Sequence, residues 1–524
     1  MANVSPVIIS TFQKSLIAFK AKAGLTQAEL KDFQLTSLDD LKHQISIIQN
    51  DQRKSKNMRY LKRLGPFLDA MEQYGKIIEV FLNVSDIIAF IWGPMKFLLM
   101  VAKNHADAFN ALLDAYLEIG ENIPQFSQYQ TLFQSNPHMQ VALSCIYEDI
   151  LEFHKEALRY FRGSTWEELF HATRRSFSNT VAYLSKNLHR HKTLIESQAT
   201  IVQFEVLQDL RIQSQRQFEE QNSAELDRRR LSVQQWLCPP DAQARHEDAA
   251  KARHGLSGQW LLNDPRFTKW FSFDYCAEAL LWLNGIPGAG KTVLASLVIQ
   301  ECRNLPQART CFFYCRHTDE DRNAFVSVAR AMLSQLVTRN DMLLQYVYDH
   351  AAKSGEAVLS SGNTAKALLE TALKTCDKTQ KVYIIIDGLD EYSREDRKEI
   401  STWFKEQVRN IPTNDLGALR CLFISQDDGY ARKDLSDCSS IKLTPSDTRD
   451  DIEAYCEMWQ QLIVQKFKLL DPKEHNISTI ITARAQGMFL YARLVTWNLH
   501  AQPDKKRFLE EIRPDRLPDG LEQA

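Results

Sequence analysis

The chain has almost no excess of charge: 64 lysines and arginines stand against 66 aspartates and glutamates in 524 residues. Such a balance gives no global field toward nucleic acid or an anionic membrane surface. Nor is there an apolar run long enough to span a bilayer. The most membrane-like segment, Ile87 to Val101, contains Pro94 and Lys96 and falls short of the ~20 residues a span needs. The first residues lack a cationic stretch followed by an apolar core and cleavage site, ValIleIle at 7–9 being too short, so no secretory segment is read. The ten cysteines show no paired framework, as expected of a reduced, cytoplasmic protein. Cys311, Cys315 and His317 invite a metal reading, but no second ligand pair follows. Cys311-Phe-Phe-Tyr-Cys315 lies in an apolar run that reads as a buried strand. No repeat with a period of roughly 20 to 50 residues is visible, which argues against a solenoid.

What the chain does have, over residues 1–195, is helical periodicity. Apolar residues recur at spacings of three and four: Leu38, Leu41, Ile45 and Ile48, then Leu61, Leu64, Leu68 and Met71. Phe109, Leu112, Leu113 and Tyr116 follow, and later Ile146, Ile150, Phe153 and Leu158. That spacing predicts an all-α bundle, with breaks at Gly65-Pro66, Gly93-Pro94, Pro124, Pro137 and Gly163. His154, His171, Trp92, Trp166 and Phe170 fall inside these patterns and read as structural groups. No acid–base or nucleophile set is visible there. Residues 196–240 turn polar, with Glu219, Glu220 and Glu225 ahead of Arg228, Arg229 and Arg230. This predicts a long solvated helical linker ended by CysProPro at 238–240, the acids arguing against nucleic-acid binding by the arginines.

From 241 to 445 the pattern alternates. Apolar runs at 280–283, 310–315, 382–387 and 419–425 read as strands, and 323–338 as an amphipathic helix. The alternation predicts a doubly wound parallel sheet with helices on both faces, followed from 446 to 524 by a small α-helical lid.

The first strand stops at Gly285 and runs into GIPGAGKT. Gly285, Gly290, Lys291 and Thr292 have the G-x-x-x-x-G-K-[ST] spacing of a phosphate-binding loop (Walker A). Gly285, Gly288 and Gly290 let the backbone curl so that amides, including those of Ala289 and Val293, point at one phosphate. Lys291 supplies charge for the β- and γ-phosphates, and Thr292 a hydroxyl for Mg²⁺. The helix that follows favours an anion at its start. A second motif, KVYIIIDGLDE at 381–391, matches a Walker B strand. Asp387, at the strand's end, can hold the Mg²⁺ water shell opposite Thr292. Glu391 reads as the general base for a water attacking the γ-phosphate, with Asp390 the alternate.

GIPGAGKT together with IIIDGLDE resembles the NACHT class of STAND (signal-transduction) NTPases, in particular the nephrocystin-like NTPase domains of fungal receptors. GlyLeuSerGlyGlnTrpLeuLeu at 255–262 resembles that family's approach to the first strand. AlaGlnGlyMetPheLeuTyrAlaArgLeuVal at 485–495 resembles its helical lid signature. Residues 33–195 are similar to a helical "Goodbye"-like N-terminal domain found on such proteins. The resemblance implies a switch, ADP-bound at rest and ATP-bound and homo-oligomeric when active. The N-terminal domain would signal to a protein partner, in nonself recognition or programmed cell death. It also implies a winged-helix module and sensing repeats beyond the lid. Many relatives carry an arginine after the serine of the fourth strand, where this chain has Gln426 followed by Asp427 and Asp428. An amide in that nucleotide-binding position implies slow hydrolysis. These motifs do not tell ATP from GTP.

Two other classes of function compete. An ordinary P-loop ATPase or kinase would need an acceptor pocket, for which no motif is present. A membrane-perturbing N-terminal bundle held in check by the NTPase would use the apolar residues 77–101, which core packing explains equally well.

Overall fold

The computed structural model describes residues 6–54, 61–82, 85–129, 133, 137–162, 166–197, 201–272, 276, 278–316, 324–338, 340–376, 380–411, 417–469, 476–513 and 516–517. The chain divides into two compact units. One comprises Met1–Ser232 with Asn340–Lys353, the other Val233–Arg339 with Ser354–Ala524.

Among its described residues, the regular elements of the first unit are all helices. Its longest elements are Gly65–Leu82, Ser85–Ala102, Pro137–Phe161, Trp166–Glu196 and the start of Ile201–Leu237. The periodic residues meet in a single core: Leu41, Phe109, Leu112, Leu113, Tyr116, Ile146 and Ile150 are all buried there. Ile77, Ile78, Ile87, Phe90, Ile91, Met95 and Leu98 join them. Burying each such side chain contributes about 1.5–3 kcal/mol, so packing accounts for the apolar 77–101 segment. No helix among the described residues is long and apolar enough to cross a membrane.

The break expected at Gly93-Pro94 does not occur; the helix runs on from Ser85 to Ala102 with Pro94 inside it. Gly93 serves a close approach instead, since a Cβ there would lie 2.5 Å from Phe33 Cα. Pro94 has no N–H to give the Phe90 carbonyl, and His154 faces that carbonyl. The His154 ring also meets the Tyr116 hydroxyl, 3.2 Å from Nε2.

Burial of His154 drives its pKa down from 6.5 to about 3. Both states are neutral at that ring at pH 7. Below pH 6.5 the unfolded chain takes a proton that the folded ring refuses, so stability falls as the pH falls. From pH 7 to pH 5 the loss from this group should be about 2 kcal/mol. His154→Gln should flatten the dependence in urea unfolding; the same pH slope in the variant would show that another group carries it. His171 is exposed, 3.9 Å from Asp107.

The helix Asp341–Ser354 is far from the bundle in sequence, yet Asn340–Lys353 falls within the first unit. Asp341 pairs with Arg230 at 3.1 Å and with Arg159 at 3.7 Å. Met342 packs on the bundle core, and the Arg229 guanidinium lies 5.8 Å from the centre of the Tyr348 ring. Two of the three arginines thus find partners within the protein: Arg229 also pairs with Glu225 and Arg230 with Asp227.

The second unit holds a five-stranded parallel sheet: β1 (Leu280–Gly285), β2 (Ala308–Tyr314), β3 (Lys381–Asp387), β4 (Leu419–Gln426) and β5 (Ser439–Lys442). The order is β2-β3-β4-β1-β5, so β4 separates the strand before GIPGAGKT from the strand ending in Asp387. Four strands lie where the apolar runs predict them. β5, only four residues long and three of them polar, carries no such signal. Cys311 and Cys315 are buried at β2; His317 lies outside the described residues. The approach segment is three short helices, Ala242–Lys251, Gln259–Asn263 and Pro265–Phe271. It is tied down by Arg420, whose buried guanidinium donates to the carbonyls of Trp270, Ser272 and Gly417. Helices Pro445–Phe467, Ile477–Ala485, Phe489–Ala501 and Lys505–Glu511 form the lid around their own core, which includes Ile452, Ile463, Ile481, Tyr491 and Phe508.

Candidate nucleotide site

Parallel strands end together at one edge of a sheet, and here that edge carries Gly285 opposite Gln426 and, on the other side of β4, Asp387 opposite Ile424. Between β1 and the helix Lys291–Asn304 the chain must turn sharply without a side-chain cap. Gly288 (φ +72°) and Gly290 (φ +90°) take left-handed backbone to do it, a region closed to most side chains. Gly285 has a different reason from the one its motif suggests: a Cβ there would come within 2.8 Å of Leu443 Cβ. The first helical turn, Lys291 to Val293, therefore opens on amides that no side chain caps, an arrangement suited to an anion.

Lys291 Nζ donates to the carbonyls of Gly285 at 3.0 Å and Ile286 at 2.9 Å. Burial lowers its pKa, while Asp390 and Asp387 hold it up. Asp387, nearly inaccessible, hydrogen-bonds the Thr292 side chain. Burial pushes Asp387 up to about 7, and the neighbouring Asp390 and Glu391 add to the rise against Thr292 and Lys291. A carboxylate buried beside two others wants a cation, and a carboxylate paired with a hydroxyl is a hard oxygen donor set. These residues fit Mg²⁺, with Thr292 and Asp387 as the groups that would hold it.

Asp390 and Glu391 sit in a short helical turn, Leu389–Glu391, entered through Gly388 (φ +76°). Asp390 Oδ1 accepts the backbone N–H of Gln426 at 2.9 Å. That carboxylate pins the turn to β4, and Glu391 beside it lines the same cavity. Gln426 itself lines the same cavity, whereas Asp427 and Asp428 are committed elsewhere. Asp427 pairs with Arg432 at 2.6 Å and Lys442 at 2.8 Å. Asp428 pairs with Arg397 at 2.7 Å and caps the helix Gly429–Asp434.

All the residues singled out in the two motifs meet at one cavity of about 850 Å³, except Gly285, which lies at the strand end beneath it. Its other walls were not legible as site residues. His254 and Trp260 come from the approach segment, Asp451 and Tyr455 from Pro445–Phe467, and Phe489 and Arg493 from the lid helix Phe489–Ala501. Asp451 Oδ2 accepts the Gly258 N–H at 2.9 Å, joining approach segment to lid. His254, Tyr455 and Phe489 form a chain of rings, the first pair edge to face and the second tilted, with centres 5.5 and 5.1 Å apart. Of these, Tyr455 and Phe489 offer flat aromatic faces of the kind a base stacks on. Leu490 N–H donates to the Gly288 carbonyl at 3.0 Å, so the lid rests directly on the phosphate loop.

The comparisons agree with this geometry. Residues 62–205 match a family model described as "Domain of unknown function (DUF7708)", a description that assigns no role to the N-terminal unit. Vegetative incompatibility protein HET-E-1 of Podospora anserina is 34% identical over 138 residues, which is 25% of this chain and 10% of that protein. The chain thus spans a small part of that relative's length. Residues 256–426, from the approach segment to the tip of β4, match the family model "Nephrocystin 3, N-terminal". Through that segment the chain is similar to the nephrocystin-like, NACHT-type NTPases.

Proposed function

We propose that the chain is a nucleotide-controlled signalling switch that binds MgATP and MgADP and hydrolyses the triphosphate slowly. In this reading the bound nucleotide sets its oligomeric state and the output of its N-terminal helical unit. The observation that carries the reading is the contact of Leu490 N–H with the Gly288 carbonyl. A ligand entering between loop and lid acts on both, as a switch requires. The Gly288–Val293 amides and Lys291 would hold the phosphates, and Glu391 would take the proton from the attacking water. Mg²⁺, when bound, would neutralise phosphate charge. The vegetative incompatibility protein among the relatives supports a signalling output.

Light scattering with each nucleotide, beside calorimetric titration, tests this. The triphosphate state should assemble and the diphosphate state should not. Binding of neither nucleotide, or fast turnover by a permanent monomer, would remove the switch.

Slow turnover follows from Gln426, which brings hydrogen bonds but no charge to the strand tip. Since Asp427 and Asp428 are already paired, they should not capture an arginine placed there. Gln426→Arg should therefore raise single-turnover hydrolysis at least several-fold at saturating MgATP. An unchanged rate in a variant that binds MgATP would show that residue 426 does not reach the γ-phosphate.

A further inference from the structure

Positive charge is unevenly supplied around the cavity. The β4 tip brings an amide, Gln426, and the phosphate loop brings Lys291. The remaining lysine and arginine on the walls are Lys251 and Arg493. Lys251 belongs to the approach segment, whose Gly258 sits against Leu294 and Leu297, beyond the first turn of the phosphate-loop helix. Arg493 comes from the lid, and its helix is fixed on the loop itself. Besides the Leu490 bond to Gly288, Phe489 Cβ lies 4.0 Å from where a Cβ on Gly290 would stand. Arg493 follows Phe489 by four residues and Leu490 by three, which places it on that same face one turn further on. Tyr491 and Ala492 turn into the lid core, leaving Arg493 exposed toward the cavity. Three other arginines of this unit are committed to carboxylates: Arg266 to Asp264, Arg397 to Asp428, Arg432 to Asp427. Arg493 forms no such pair among the described residues.

We propose that Arg493 reads the terminal phosphate: its guanidinium binds γ-phosphate oxygens of a nucleoside triphosphate held on Gly288–Thr292. The lid would thus supply the charge that Gln426 does not. The inference rests on the nucleotide-switch reading above and names the residue that tells triphosphate from diphosphate. A planar fork of donors matches phosphate oxygens in pairs, which an ammonium cannot do. A triphosphate then ties loop and lid together, whereas a diphosphate is too short to engage the lid arginine and leaves the two joined by Leu490 alone.

The test is calorimetric titration of the full chain, with Mg²⁺, against the diphosphate and its β,γ-imido triphosphate. The base used is whichever the wild-type chain binds. Arg493→Ala should lose roughly ten- to a hundredfold in triphosphate affinity and keep its diphosphate affinity within about twofold. Arg493→Lys should fall between the two, since charge returns without the fork. If the alanine variant does not fold, Arg493→Gln, which keeps much of the stem, takes its place. An unchanged ratio of the two affinities in a folded variant overturns the proposal. So does an equal loss for both ligands, which would mark Arg493 as a support for the lid. Failure of the wild-type chain to bind either ligand would instead strike the nucleotide reading itself.

Discussion

Lys291→Ala should leave the chain folded and unable to hold nucleotide at concentrations that saturate the wild type. The ammonium is the loop's own cation, and among the described residues it hydrogen-bonds loop carbonyls alone, those of Gly285 and Ile286. Removing it opens no core cavity, so the thermal midpoint should move little. Truncating one partner of a largely desolvated charge pair costs about 2–5 kcal/mol. That corresponds to roughly thirty- to several-thousand-fold in affinity. The loss should be of similar size for ADP and ATP, because the lysine serves the phosphate nearest the loop as well as the last one. Calorimetry on the folded variant decides it, and affinity within a few-fold of wild type would put the phosphates elsewhere.

Glu391→Gln should do the opposite: keep MgATP and stop consuming it. The amide preserves volume and hydrogen bonding but cannot take a proton, and removing a general base typically costs ~10²–10⁴ in rate. The variant should accumulate in the triphosphate state, visible as retained radiolabelled ATP after gel filtration. Asp390→Asn should cost less, since an asparagine oxygen can still accept the Gln426 N–H that Asp390 now accepts. If Glu391→Gln turns over at the parent rate while Asp390→Asn stalls, the two residues exchange roles.

The glycine-rich end of the cavity was legible because it is local. Gly288, Gly290, Lys291 and Thr292 are consecutive or nearly so, and an apolar strand ending in an acid delivers Asp387 to the sheet edge wherever it occurs. The walls formed by the approach segment and the lid were not legible. His254, Tyr455 and Arg493 come from segments separated by up to 239 positions in the numbering, and only the packing of lid on loop brings them together. Two local signals misled. Gly93-Pro94 looks like a break, but glycine there answers the approach of Phe33, and His154 meets the carbonyl that proline leaves without its helical partner. Gly285 looks like a hinge of the loop, but Leu443 is what forbids it a side chain. In both cases the deciding neighbour is distant in sequence, which no window of residues can reveal.

The helix Asp341–Ser354 has a consequence for how this protein can be taken apart. Because Asn340–Lys353 belongs to the first unit while the residues on either side belong to the second, the polypeptide passes between the units three times. A gene fragment ending at Ser232 would encode a bundle without Asp341, the partner of Arg159 and Arg230, and without Met342 on its core. The reciprocal fragment would carry that helix with nothing of its own unit to fold against. The two units are therefore poor candidates for exchange by a single recombination event or a single cloning junction. A chimera that swaps the bundle alone should express poorly unless helix 341–354 travels with it.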